Sequence, residues 1–137
     1  MSPEVQAFAT GFPIALMHAG ATLLILILGL SLYALLSPHR EVPQIRHGNA
    51  AAMVSFAGAV VGLAIPLAMS LSASTSITEI GLWGVLIVFV QLLAFRIVDM
   101  VMRGLPARVA EGEVAAAVLL SGAKLASALI LAAAVAG

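Results

Sequence analysis

Four apolar blocks, each long enough to cross a bilayer as a helix, determine what this chain can fold into. A helix rises 1.5 Å per residue, so about 20 residues span the roughly 30 Å of hydrocarbon. The blocks run from about Phe12 to Leu36, Ala50 to Leu71, Ile80 to Met102 and Val114 to Ala136. Membrane β-strands alternate over segments of about ten residues, whereas these blocks are continuous. We therefore predict an all-α membrane protein with four transmembrane helices.

Composition indicates that lipid surrounds most of the chain. Hydrophobic residues make up 63% and charged residues 9% of the sequence, against roughly 45–50% and about 25% in soluble domains. Six Lys and Arg balance six Asp and Glu, so there is no basic field for nucleic acid. The four helices and three short loops account for residues 1–137, which we predict to form a single transmembrane domain in contact with the bilayer.

The second apolar block and the loop before it occur twice, sixty-four positions apart. The matching pairs include Gly48 with Gly112, Asn49 with Glu113, Gly58 with Gly122 and Ala59 with Ala123. The two repeats cover about residues 12–71 and 80–136, and each contains two helices. An even number of helices leaves both copies running the same way through the bilayer. We predict a tandem (parallel) repeat of two helical hairpins.

Basic residues of the loops predict the orientation in the membrane. Arg40 and Arg46 lie between the first and second spans, and Arg103 and Arg108 lie between the third and fourth. Short loops rich in Lys and Arg stay in the cytoplasm. We expect both basic loops to be cytoplasmic and both termini to lie outside the cytoplasm.

The ends of these loops carry residues typical of helix starts. Asn49 is a predicted N-cap of the second span, and Glu111 and Glu113 place carboxylates at the N-terminus of the fourth. The positive end of the helix dipole favours such acids. Pro43 is expected to keep its loop extended. A cytoplasmic protein partner could dock at these loops.

Small residues indicate close helix packing in the second and fourth spans. Their patterns are Gly58-x-x-x-Gly62 and Gly122-x-x-x-Ala126. In lipid, helices associate where small side chains let their backbones approach. Packing inside one protomer and packing between protomers both remain open, but the fourth span is small on almost every face, which favours a homo-oligomer. Pro66 frees the carbonyl of Gly62 and predicts a kink in the second span.

Four charged or amide side chains fall within the third and fourth spans, where ionisable groups are costly and often functional. They are Gln91, Arg96, Asp99 and Lys124. Arg96 and Asp99 are spaced for a local ion pair, with the arginine reaching towards the cytoplasmic surface. Lys124, near mid-bilayer, needs water, backbone carbonyls, Gln91 or Asp99 as a partner, or must be neutral. These residues could instead line a polar path.

No motif predicts catalysis, a metal or a cofactor. His18 lies in the outer part of the first span, far from the histidines of the first loop, so no bis-histidine site forms within one chain. The sequence has no Cys, no nucleophile-elbow motif and no phosphate-binding glycine loop. We do not expect an enzyme.

Several motifs, taken together in their order and spacing, resemble a known family over nearly the whole chain. They are Ser37-Pro38-His39, Gly48-Asn49-x-Ala51-Ala52, Gly62-x-x-Ile65-Pro66-Leu67 and Gln91-Leu92-Leu93-x-Phe95. The chain resembles the bacterial membrane protein family known as domain of unknown function 350. This resemblance implies a four-span inner-membrane protein of two similar halves, without an established activity, cofactor or catalytic residue. Members are often encoded near phage-shock-type proteins, which implies an envelope-stress role by association. Glu113 departs from the family pattern, which would place an asparagine there.

Two functions are compatible with these features. The first is an oligomeric membrane scaffold whose cytoplasmic loops bind a partner protein and which is linked to envelope stress. The alternative is a proton or small-ion channel or transporter that uses the polar residues of the third and fourth spans.

Overall fold

The computed structural model describes residues 2–37 and 41–137, which form six α-helices and no strands. Four helices are long and apolar enough to cross a membrane: α1 (Pro3–Leu36), α3 (Ala50–Ala73), α4 (Ile77–Val101) and α6 (Val114–Ala136). Two short helices precede α3 and α6: α2 (Glu41–Arg46) and α5 (Leu105–Ala110). The prediction of four apolar spans is confirmed.

Helix α1 extends beyond the predicted first span at its N-terminal end. Residues Pro3–Leu36 form one helix of 34 residues that continues through Pro13. The hydroxyl of Ser2 caps it by accepting the N–H of Val5 at 3.3 Å. At 1.5 Å per residue the helix is about 50 Å long, more than the hydrocarbon requires. Its first half, residues 3–17, is exposed and makes no buried contact with the bundle.

The loop between α1 and α3 is shorter than predicted, because part of it is helical. Pro43 does not keep this segment extended; it lies inside α2. Proline is tolerated in the first turn of a helix, where its missing N–H has no intrahelical partner. Pro38, His39 and Arg40 lie outside the described residues. They include part of the Ser37-Pro38-His39 motif and one of the two arginines of the first basic loop.

Glycines with positive φ end both short helices. Gly48 has φ +84° and Gly112 has φ +92°, a backbone conformation that favours glycine. The N–H of Gly48 binds the carbonyl of Ile45, and that of Gly112 binds the carbonyl of Val109, each at 2.9 Å. These turns direct the chain from each short helix into the next transmembrane helix.

The closest helix pair is α3 with α6. A Cβ atom on Gly58 would come within 2.8 Å of the Cα atom of Ser121, so only glycine fits there. The Ser121 hydroxyl donates to the carbonyl of Val54 at 2.9 Å across the same contact. Small buried residues continue the interface along both helices: Ala51, Ala52, Ala59, Ala117 and Ala128. The Gly58-x-x-x-Gly62 pattern therefore packs inside the protomer.

The second small-residue pattern faces away from the bundle. Gly122 and Ala126 are exposed, and a Cβ atom on Gly122 would meet nothing within 4 Å. Ser121 faces α3, and a helix turns by about 100° per residue, so Gly122 cannot face α3 as well. Gly58-x-x-x-Gly62 is thus buried inside the bundle, whereas Gly122-x-x-x-Ala126, which matches it in sequence, is exposed on the surface.

Helix α1 is peripheral. It packs against α3 and α4, while α4 also contacts α3 and α6. Gly29 lies against Val88, and Gly84 lies against Ile25, so these glycines set the close approach of α1 and α4. Beside this contact, α1 and α4 border an apolar groove of about 690 Å³.

Candidate functional site

Lys124 is the centre of a buried polar cluster. Its side chain comes from α6 and is 0% exposed. The ammonium Nζ donates to the hydroxyl of Tyr33 at 3.0 Å and lies 3.6 Å from Asp99 Oδ1. An unpaired ammonium at such a position would be strongly unfavourable, so these partners stabilise its charge. Of the partners considered from the sequence, Asp99 is the one that the structure places beside Lys124.

Two aromatic rings enclose the ammonium. Nζ lies 5.2 Å from the ring centroid of Tyr33 and 5.5 Å from that of Phe95. The rings meet edge to face, with centroids 5.9 Å apart. The negative faces of aromatic rings attract cations at such distances. Lys124 therefore sits among a carboxylate, a hydroxyl and two rings, with little room for water.

The cluster continues from Tyr33 to Glu41. The Tyr33 hydroxyl donates to Glu41 Oε1 at 2.7 Å, and the Ser55 hydroxyl donates to the same oxygen at 3.3 Å. Glu41 is only 6% exposed although it begins a short helix next to the membrane. We call Tyr33, Glu41, Ser55, Asp99 and Lys124 the charge cluster. Each of the helices α1, α2, α3, α4 and α6 contributes one member.

Sequence reasoning missed three members of this cluster. None of Tyr33, Glu41 and Ser55 is among the polar candidates named from the sequence. Tyr33 is the only tyrosine in the sequence and lies in an aliphatic helix. A buried tyrosine hydroxyl usually finds a hydrogen-bond partner, so this residue was the available signal.

Arg96 does not belong to the cluster. Its side chain is exposed and lines the groove between α1 and α4. The local ion pair predicted between Arg96 and Asp99 does not form among the described residues, since Asp99 pairs with Lys124 instead. The i,i+3 spacing permits an ion pair between Arg96 and Asp99. The Asp99 side chain instead points towards Lys124 inside the bundle, whereas Arg96 is exposed.

Gln91 satisfies the backbone group freed by Pro66. Its Nε2 donates to the carbonyl of Gly62 at 2.9 Å and lies 3.5 Å from the Ser127 hydroxyl. Proline at position 66 cannot donate to that carbonyl, so a side-chain donor replaces the missing helix bond. Gln91 thus binds α3 and α6 and makes no hydrogen bond to the charge cluster that the structure describes.

The loop ends hold α3 and α5 together. Asn49 Oδ1 accepts the N–H of Ala52 at 3.2 Å, which confirms its predicted role as N-cap. Its Nδ2 donates to the carbonyls of Val109 at 2.9 Å and Ala110 at 3.3 Å. One side chain therefore caps α3 and satisfies two carbonyls at the end of α5.

Glu113 occupies the matching position before α6 but makes no side-chain cap. It pairs with Arg108, whose Nε lies 2.6 Å from Glu113 Oε2. These hydrogen bonds hold the pKa of Glu113 below its ordinary value and that of Arg108 above it. A lowered carboxyl pKa means that this pair is lost on acidification, but both groups are exposed and water screens them. Glu111 is exposed nearby.

His18 is half-buried in α1. In the part of the chain that the structure describes, no three His, Asp or Glu side chains converge as a metal site.

These features define a class: a small helical membrane protein with four spans and a buried charge cluster. The chain belongs to the family described as Domain of Unknown Function (DUF350), whose model matches residues 7–135. It is similar to the UPF0719 inner membrane protein YjfL of Escherichia coli strain K12. The two are 32% identical over 107 residues, which cover 78% of this chain and 81% of the relative. YjfL of Escherichia coli O157:H7 matches equally. No solved structure matches the chain.

The two loop ends yield a prediction. We expect Asn49→Ala to lower the free energy of unfolding by about 1–3 kcal/mol, because a cap and two further hydrogen bonds are lost. Glu113→Ala should produce no measurable change, because its side chain caps nothing and its ion pair is exposed. Unfolding in mixed micelles, followed by far-UV circular dichroism, measures both. Equal losses in the two variants would contradict this assignment.

Proposed function

We propose that this protein is an oligomeric scaffold of the bacterial inner membrane that binds a partner through its cytoplasmic loops. The proposal rests chiefly on the outer face of α6. That face exposes Gly122 and Ala126, although the inner face of the same helix already packs tightly on α3. A helix face covered only by lipid does not need small residues, whereas a helix–helix interface does. The proposal assigns the protein no catalytic reaction.

The cytoplasmic face would consist of α2, α5 and their flanking turns. Arg46, Arg103 and Arg108 are exposed there, and the hydrogen bonds of Asn49 join the two loops into one surface. Basic loops favour the cytoplasmic side, so we place both termini outside the cytoplasm. The inner-membrane location follows the name of the relative.

The chain has no Cys, so single cysteines at Ser2 and Ala110 would test this orientation by impermeant labelling of whole cells. Labelling of Ala110→Cys alone would contradict it.

We also propose that the two halves derive from duplication of a hairpin. Helices α2 and α5 have the same length of 6 residues, and their starts lie sixty-four positions apart, as do those of α3 and α6. Each short helix is followed by a glycine with positive φ.

The envelope-stress link rests on the family resemblance, and expression of this protein under membrane damage would test it. Unchanged protein levels would count against that link.

The oligomer is tested by enlarging the outer face of α6. We expect Gly122→Leu to weaken self-association tenfold or more, about 1.4 kcal/mol, because the larger side chain separates the backbones. Light scattering of purified protein in detergent gives the mass of the assembly. Gly20→Leu is the matched control, because Gly20 is an exposed glycine of α1 with nothing within 4 Å of its Cβ position. A monomeric wild type, or a Gly122→Leu variant that assembles normally, would refute the scaffold proposal.

The second candidate is a conduit for protons or small ions. It is favoured by the buried side chains of Glu41 and Lys124 and by Asp99, which is 10% exposed beside Lys124, because ionisable groups in such surroundings are costly and often functional. In proteoliposomes with an imposed gradient, a conduit should lose flux about tenfold or more in Lys124→Met, while the exposed control Arg46→Gln should keep it. A wild type that moves no ion under any gradient would end this candidate.

A further inference from the structure

We propose that the charge cluster contains a binding site for one small monovalent cation, beside Glu41. The cation is an alkali ion of about the size of sodium. This inference is independent of the scaffold proposal, because all the residues concerned lie within one protomer.

A small cavity supplies the space. It measures about 10 Å³ and is lined on its polar side by Glu41, Gln44, Ser55 and Asp99. Residues of α5 and α6 close it on the apolar side. A volume near 10–15 Å³ accommodates about one water-sized particle. The cavity is therefore too small for a hydrated divalent ion or an organic cation.

An unpartnered oxygen points to a ligand. Glu41 Oε2 is buried and has no hydrogen-bond partner among the described residues, whereas Oε1 accepts from both Tyr33 and Ser55. A buried carboxylate oxygen without a partner carries an uncompensated desolvation penalty. A bound cation at Oε2 would remove this penalty. Oxygen ligands of this kind are those that hard cations prefer.

The charges of the cluster require one more positive charge. Glu41 and Asp99 bring two carboxylates, and Lys124 brings one ammonium. Among the described residues, the other groups that face Glu41 are the neutral side chains of Tyr33 from α1 and Ser55 from α3, besides Gln44 of its own helix and apolar residues of α5 and α6. Asp99 is 10% exposed and also lines open pockets with the exposed Arg96 and Arg103. The buried carboxylate of Glu41 is unfavourable without a positive charge beside it, and a single monovalent cation at Oε2 supplies that charge. A divalent ion would leave the cluster positive.

The geometry also orders the cluster around the site. Lys124 donates to the Tyr33 hydroxyl, and that hydroxyl donates to Glu41 Oε1. Lys124 is thus linked to Glu41 through the Tyr33 hydroxyl at Oε1, and Oε2 is the oxygen left for the cation. Occupancy of the cavity would hold α2 against α3 and α4, so cation binding should stabilise the fold.

The test measures thermal unfolding of the full chain in detergent, where no oligomer is needed. Ionic strength is kept constant with N-methylglucamine chloride, a cation too large for the cavity, while NaCl, LiCl or KCl replaces it. A cation at 100 times its Kd should raise the ratio of folded to unfolded protein about 100-fold. In a second series, pH is varied without small cations. Stabilisation by Na⁺ or Li⁺ supports the alkali-ion site, whereas stabilisation only on acidification requires no bound ion and overturns the proposal.

The variants decide whether the effect belongs to this site. Glu41→Gln should lose the dependence on cation, because it removes the extra negative charge with little change in shape. Asp99→Asn should lose it as well, because one carboxylate and one ammonium then balance, and this variant serves if Glu41→Gln does not fold. The exposed control Glu111→Gln should behave as the wild type. The proposal is overturned if Glu41→Gln and Asp99→Asn respond like the wild type, or if the wild type responds to no small cation.

Discussion

The ammonium of Lys124 must be neutralised inside a bundle whose surface faces hydrocarbon, and the rest of the structure is arranged to achieve this. Asp99 supplies the opposite charge, Tyr33 supplies an acceptor, and the rings of Tyr33 and Phe95 enclose the cation. Removing one partner of a buried ion pair typically costs about 3–5 kcal/mol, because the other charge stays buried. That amount is comparable with the whole stability of many domains, about 5–15 kcal/mol.

Close packing of α3 and α6 makes the cluster possible. Gly58 accepts Ser121 at a distance that no larger residue allows, and Gly62 leaves room for the ring of Phe95, which lies over Nζ. A Cβ atom on Gly58 would push α6 outwards and withdraw Nζ from Asp99 and Tyr33, and a Cβ atom on Gly62 would displace the Phe95 ring. Small residues thus act on the charge chemistry indirectly, through the separation of two helix axes. The same contact leaves the outer face of α6 free.

Much of the fold could be predicted from the sequence, because the relevant signals are local. Block length predicted four spans, and Asn49 before an apolar run predicted a cap, since both depend on neighbours in the chain. The extended segment at Pro43 was predicted wrongly, because proline is compatible with the first turn of a helix.

The candidate site was predicted only in part, because its members meet through tertiary packing. Asp99 was among the partners considered for Lys124, but i,i+3 spacing favoured Arg96 equally for Asp99. Glu41 could not be placed, since a helix of 6 residues shows no periodicity that tells its buried face from its exposed one.

The central claim, that Lys124 and Asp99 depend on each other, is tested most directly by a double-mutant cycle. Unfolding free energies would be measured for Lys124→Met, Asp99→Asn and the double variant. The account predicts that the double variant loses less than the sum of the two single losses, by about 0.5–3 kcal/mol. Strictly additive losses would contradict it.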